Sequence, residues 1–261
     1  MRSTKHDVPV ADDSLTVLRR VEPCMGTVFS LDVRAPAVDD SAIDDVLAWL
    51  HRVEATFSTY RTDSEISRIG RGELAVADAS PQVAEILRRC EELERETDGY
   101  FSAYPDGRLD PSGLVKGWAI ERASDRLRAA GAANHSLNGG GDVQCAGSAA
   151  PGRPWRIGVI DPSEPGRVLA VVAGDDLAVA TSGTAERGAH VLDPHTHAPV
   201  TALASVTVAG RHLGTADAYA TAAFAMGGAA PDWLAGLRDY RSFVVFPDGG
   251  TWASPGFAGQ P

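Results

Sequence analysis

The distribution of strands constrains this fold most. From Trp155 onward the chain reads as strand after strand. Trp155–Ile160, Val168–Val172, Leu177–Thr181, Ala204–Val208 and Phe243–Phe246 are β-rich, with turn residues between them. One helix interrupts them, from about Thr215 to Met226, where Gly227-Gly228 stops it; a short helix is expected after Pro231. The first half is mostly helical. Thr27 to Val33 alternates, with Phe29, Leu31 and Val33 on one face of a half-buried strand. Asp39-Asp40-Ser41 then offers a cap, and Ile43, Val46, Leu47, Leu50 and Val53 recur at helical spacing. Ser80-Pro81 opens a second helix with Val83, Ile86, Leu87, Cys90 and Leu93 as its stripe, stopped at Asp98-Gly99. A third runs from about Leu114 to Ala130 and ends at Gly131. Strands that do not alternate regularly with helices disfavour a parallel doubly wound sheet. The expected class is α+β, with mixed or antiparallel sheets, flanking helices and two lobes sharing a seam. Residues 1–16 read as a flexible leader, 17–261 as a single domain, and Ala146–Pro154 as the one stretch with the composition of a hinge.

Charge narrows the function. With 24 Lys and Arg against 35 Asp and Glu, the net charge is −11. Nonspecific nucleic-acid binding, which needs clustered cations, is not expected. Cys24, Cys90 and Cys145 show no CxxC and no Cys/His zinc spacing, which suggests neither a disulfide framework nor a structural zinc. Free thiols fit a reducing compartment. Met1 to Asp13 has no apolar stretch of signal-peptide type, and the uncharged stretches Pro194–Gly210 and Ala218–Pro231 fall short of the roughly 20 apolar residues of a spanning helix. A cytoplasmic location without membrane insertion is expected.

Five constellations carry chemistry. In Asp217-Ala-Tyr-Ala-Thr221 the first and last residues share a helix face. Two hard oxygen donors there suit Mg²⁺; the motif alone is better read as an N-terminal acid favoured by the helix dipole and a Thr on a packed Ala-rich face. In Asp110-Pro-Ser-Gly-Leu-Val-Lys116 a Gly-bearing turn opens a helix, whose N-terminus attracts anions and whose Lys116 adds charge; the alternative is a plain helix start. Asn138-Gly-Gly-Gly-Asp142 permits positive φ and close backbone approach, or is simply a tight turn. Beyond Thr181-Ser-Gly-Thr184, His190-Val-Leu-Asp193-Pro places an imidazole beside an acid, suited to a general base or to a bonded turn. In Phe57-Ser-Thr-Tyr-Arg61, Tyr60 is either a stacking platform or a core aromatic, ahead of a helix capped at Asp63-Ser64.

Their order along the chain is more informative than any one alone. Met25-Gly-Thr27, Ser58-Thr-Tyr60 with Ser64-Glu-Ile-Ser67, Asp110-x-Ser-Gly-x-x-Lys-Gly-x-Ala119, Asn138-Gly-Gly-Gly-Asp142, Thr181-Ser-Gly183, His190-x-x-Asp-Pro194 and Ala216-Asp-Ala-x-Ala-Thr221 follow one another. From about residue 18 to 255 this resembles the ApbE family, the FAD:protein FMN transferases. The resemblance implies a T-fold-like architecture with a ligand cleft between lobes. It also implies Mg²⁺-dependent transfer of the FMN half of FAD to a Ser or Thr hydroxyl of an acceptor flavoprotein, with release of AMP. By position, Gly113, Asp217, Ala220 and Thr221 would be the metal ligands. Met25, Tyr60, Ser102, Ala103, Tyr104, Asp110, Lys116 and a backbone group at Val191 would contact FAD. His190 would be the base, acting with Asp217 in catalysis. Where the family usually carries a much longer insert, this chain has only Ser102–Leu109 between Phe101 and Asp110, and His197 replaces a usual Gly. FAD pyrophosphatase activity, or FAD binding without catalysis, are the alternative outcomes at such a site.

Overall fold

The alternation beginning at Thr27 buries Phe29, Leu31, Val33 and Ala35 on one face of strand β2 (Thr27–Ala35). This computed structural model describes residues 16–35, 39–105, 107–184, 192–196 and 198–257. Strand β1 (Thr16–Cys24) precedes β2, across a two-residue turn in which Met25 and Gly26 have φ of 51° and 69°. Such a turn matches the twist of the strands it joins. The sequence reading has no strand here and takes residue 16 as leader. The reason is chemical: Val17 and Val21 lie on the exposed side of an edge strand, so no apolar-in, polar-out pattern marks it.

The remaining strands are β3 (Asn134–Gly139), β4 (Asp142–Ala146), β5 (Trp155–Ile160), β6 (Val168–Gly174), β7 (Ala178–Gly183), β8 (Ser205–Gly210), β9 (Arg241–Val245) and β10 (Thr251–Ala253). Eight of them form one sheet in the order β1-β2-β3-β4-β7-β8-β9-β10, and β5 and β6 form a separate hairpin. Every pairing is antiparallel. The α+β expectation is therefore met. Its two halves take the form of one continuous sheet with helices on one face and the β5–β6 hairpin on the other.

Helices α1 (Asp40–Phe57), α2 (Glu65–Gly70) and α3 (Pro81–Glu96) precede α4 (Ser112–Ala129); α5 (Leu213–Met226) and α6 (Ala230–Ala235) follow β8. Helix α4 lies over β3 and β4, α5 lies over β7 and β8, and α1 packs on α4. Helix α5 is apolar nearly all round. Ala216, Ala218, Ala220, Ala222, Ala223 and Ala225 are all buried, as in a helix sandwiched between other elements. Its small side chains let it approach α4 closely at Gly117 and Gly214. A Cβ on Gly117 would lie 2.8 Å from the Leu213 carbonyl oxygen and 3.1 Å from the Gly214 Cα.

The segment expected to act as a hinge is tied down instead. The N–H of Gly147 donates to Asp176 and that of Ser148 to Asn134, Arg34 donates to the Ala149 carbonyl, and Trp155 Nε1 donates to the Ala146 carbonyl. No helix among the described residues is long and apolar enough to cross a membrane.

Candidate active site

Sheet register gathers the sequence motifs at one end of the molecule. Phe29 is opposite Gly139 and Gly139 is opposite Asp142, so the Met25-Gly26 and Gly140-Gly141 turns lie side by side. A Cβ on Gly140 would meet Thr27 Oγ1 at 2.9 Å. Val143 is opposite Val179, which brings Thr181 and Ser182 on β7 to the same end.

The α4–α5 crossing delivers the charged groups to this end. Gly117, one residue after Lys116, is pressed against Leu213 and Gly214, one turn before Asp217. As a result the Gly117 N–H donates to Asp217 Oδ2 at 3.1 Å. In a regular α-helix the same N–H points at the carbonyl of residue 113. The Gly113 carbonyl and the Asp217 carboxylate therefore converge on one donor. Thr221, a turn beyond Asp217, has its Oγ1 3.3 Å from Ser182 Oγ, and a Cβ on Gly113 would lie 3.8 Å from that Thr221 oxygen. Asp217 is only 2 % exposed. Buried carboxylates persist where charge and donors meet them. Here Lys116 Nζ lies 3.9 Å from Asp217 Oδ2.

Lys116 also forms an ion pair with Asp142, whose carboxylate is fully buried. The other Asp142 oxygen accepts the Thr181 N–H at 3.1 Å. Two acids thus flank one ammonium, which fixes its position and partly balances its charge. Asp142 reaches this place because the two-residue turn at Gly140 and Gly141, with φ of 59° and 92°, brings β4 straight back along β3.

Other expected site residues sit on loops around this cluster. Asp110 Oδ1 accepts the Ser112 N–H at 3.0 Å, tying the entry of α4, and the Asp110 N–H donates to the Ala103 carbonyl at 2.8 Å. Met25 holds its positive φ with its N–H on Glu54 Oε1 at 2.9 Å. Tyr60 is 97 % exposed, which rules out the core-aromatic alternative. Ser58 and Ser64 set its loop: the Ser58 carbonyl accepts Ser64 Oγ at 2.7 Å, and Ser64 Oγ caps α2 through the Ser67 N–H. Tyr104 is also exposed, Ala103 is buried, and Ser102 Oγ accepts the Tyr104 N–H. Ala220 is fully buried within α5. His190, Val191 and His197 lie outside the described residues.

The described end of the histidine motif docks on the end of α3. His195 Nε2 lies 3.0 Å from the Asp98 carbonyl, and its ring meets Tyr100 edge-on at 4.6 Å. Asp193 accepts the His195 N–H, which holds its carboxyl below the usual range. Between this segment and the Ser102–Gly107 loop opens a cavity of about 700 Å³, lined also by Tyr104, Pro105 and Pro194.

Two members of the cluster carry no site role in the sequence reading: Asp142 and Ser182. The first was legible as an acid closing a glycine turn, but nothing local pairs it with Lys116. The second sits in Thr181-Ser-Gly183, a motif that by itself assigns the hydroxyl no partner.

Known proteins resemble this arrangement along most of the chain. A "FAD:protein FMN transferase" of Vibrio cholerae is 27% identical over 267 residues, covering 78% of this chain and 80% of that protein. One of Rhodobacter capsulatus is 35% identical over 165 residues, covering 59% and 31%. The fold is shared with an ApbE protein from Thermotoga maritima, at a TM-score of 0.83 and 22% identity over 93% of this chain and 98% of that one. The flavin transferase ApbE from Vibrio cholerae has a TM-score of 0.79 at 24% identity, with the same coverage. The model of the ApbE family matches residues 25–104 and 102–243, two stretches that meet where the chain has its short Ser102–Leu109 loop. With its family model spanning most of the sequence, this chain belongs to the ApbE family.

Proposed function

We propose that this chain transfers the FMN moiety of FAD to a Ser or Thr hydroxyl of an acceptor flavoprotein in a Mg²⁺-dependent reaction that releases AMP. The observation that carries the reading is the convergence of Gly113, Lys116, Asp142, Asp217 and Thr221 at one helix crossing. The donor set fits the ion. A carboxylate, a hydroxyl and a backbone carbonyl are hard oxygen ligands, and Asp217 and Thr221 lie one turn apart on α5 beside Gly113. When bound, Mg²⁺ supplies charge neutralisation to diphosphate oxygens.

The chain's own groups do the rest. Lys116, fixed by Asp142, offers a positive charge to a phosphate, and the N-terminus of α4 adds the positive end of a helix dipole. Tyr60 and Tyr104 present exposed rings suited to a flavin or adenine face. In the reaction the acceptor hydroxyl oxygen bonds to the phosphorus on the FMN side. The bond from that phosphorus to the bridging oxygen breaks, and AMP leaves with the oxygen. The hydroxyl proton passes to a base, for which His190 is proposed.

The test is incubation of the purified chain with FAD, Mg²⁺ and candidate acceptor proteins, read by mass spectrometry and by AMP release. A covalent FMN-sized addition with stoichiometric AMP is expected. AMP and free FMN in equal amounts, with or without acceptor, would assign the site to FAD hydrolysis. Unchanged FAD across several acceptors would overturn catalysis altogether.

A further inference from the structure

We propose a second metal site, of zinc type, in which Cys24, His51 and Glu54 are the ligands. Its residues come from two elements that face each other. Glu22 and Cys24 are two apart on β1 and so share a strand face; His51 and Glu54 are three apart on α1 and so share a helix face. Cys24, His51 and Glu54 form the group of candidate ligand side chains found among the described residues.

The geometry is that of one face of a tetrahedron. Cys24 Sγ lies 3.7 Å from His51 Nδ1 and 3.7 Å from Glu54 Oε2, and His51 Nδ1 lies 3.8 Å from Glu54 Oε2. Zinc bond lengths of 2.0–2.3 Å at tetrahedral angles give ligand–ligand edges of about 3.3–3.6 Å. A contraction of a few tenths of an ångström would therefore close the three atoms around an ion.

Two of the ligands are also oriented by partners of their own. Glu22 Oε1 lies 2.7 Å from His51 Nε2, so the carboxylate takes the Nε2–H and leaves the Nδ1 lone pair facing the sulfur. Glu54 Oε1 accepts the Met25 N–H at 2.9 Å, which leaves Oε2 for an ion. Carboxylate-to-histidine support of this kind is the usual outer shell of a zinc ligand. Cys24 is buried, whereas the side chains of His51 and Glu54 are 48% and 33% exposed, so an ion reaches the site from the His51 side and a water completes the fourth position.

Binding breaks the S–H bond and forms a sulfur–metal bond, and the proton leaves to solvent. A thiolate and an imidazole select Zn²⁺ over Mg²⁺, so this site and the oxygen-only set around Asp217 take different ions. The ion would clamp the Met25-Gly26 turn to the last turns of α1.

Cobalt provides the test. The full chain, stripped with a chelator, is titrated with Co²⁺ under reducing, anaerobic conditions. One equivalent should produce a thiolate-to-cobalt charge-transfer band, displaced by one equivalent of Zn²⁺ and untouched by excess Mg²⁺. His51→Ala should abolish the band, and Glu22→Gln should weaken Zn²⁺ binding about 10–100-fold, as loss of a supporting carboxylate does. Both positions are partly exposed, and their melting temperatures without metal check the fold. Cobalt bound without a thiolate band, or a band of full strength in His51→Ala, overturns the proposal.

Discussion

The two faces of the eight-stranded sheet are built to different ends. On the hairpin face Val143, Cys145, Trp155, Val159, Val172, Val179, Phe243 and Val245 form a small apolar core. The helical face has a much larger core, yet Lys116, Asp142 and Asp217 meet at its end. Strand β4 shows the division within five residues. All five are buried; alternation sends Val143 and Cys145 to the hairpin and Asp142 to the helices. Among the described residues, the buried carboxylates of Asp142 and Asp217 lie on the helical face, whereas the Asp32–Arg34 pair on the hairpin side is only partly buried. Buried ion pairs contribute little net stability, because desolvation offsets their attraction. Under the proposed function the polar cluster is where the fold serves chemistry, and the apolar hairpin core is where it serves stability.

The largest effect that would break this contrast is at Asp217. Asp217→Asn keeps the shape and the contact with the Gly117 N–H but removes the charge. FMN transfer should fall about 10²–10³-fold, the scale of several kcal/mol of lost charge stabilisation. An AMP-release assay at saturating Mg²⁺ measures it, and near-normal turnover would remove Asp217 from the site.

Next in size is a pH effect from beneath the helices. His135 on β3 is fully buried; it donates Nδ1–H to the Ala132 carbonyl and accepts Ser124 Oγ–H on Nε2. Burial pushes its pKa down from 6.5 to about 4. The unfolded chain protonates this histidine below pH 6.5 while the folded chain does not, so stability falls as pH drops from 6.5 to 4. The loss should total roughly 3 kcal/mol. Denaturant unfolding of the parent and of His135→Asn across that range should differ by this slope; parallel curves would refute it.

Gly117→Ala should come third, costing about 1–3 kcal/mol, because its methyl meets the Leu213 carbonyl at 2.8 Å and Asp217 Cβ at 2.9 Å. It should lower both melting temperature and transfer rate, since the same crossing positions the carboxylate. Trp155→Phe on the hairpin face should be the smallest, about 1 kcal/mol for the bond from Nε1 to the Ala146 carbonyl. It also trims the ring beneath Arg34. Transfer by its folded fraction should be unchanged. Equal losses of activity in these two variants would erase the distinction between the faces.

Much of the secondary structure was legible because it rests on local chemistry. Asp39 caps α1 through the Ser41 N–H, Pro81 opens α3, and β5 spans the same residues in the sequence and in the fold. Strand β1 was not legible, since its exposed valines cancel the alternation. The metal-type cluster at Cys24 was also invisible: its ligands come from a strand and a helix whose spacing follows no zinc pattern, and only packing brings them together.

The sequence by itself determined which residues share a helix or strand face. Asp217 and Thr221 fall one turn apart by the helical period alone, and the motif order alone points to the family. What only the tertiary structure decided is who meets across the chain. Lys116 finds Asp142, Asp142 finds the Thr181 N–H, and Gly117 finds Asp217 through sheet register and a helix crossing close enough to exclude a methyl group. Periodicity is a property of neighbouring backbone dihedrals. Long-range pairing depends on how whole faces exclude water together, and no local pattern encodes it.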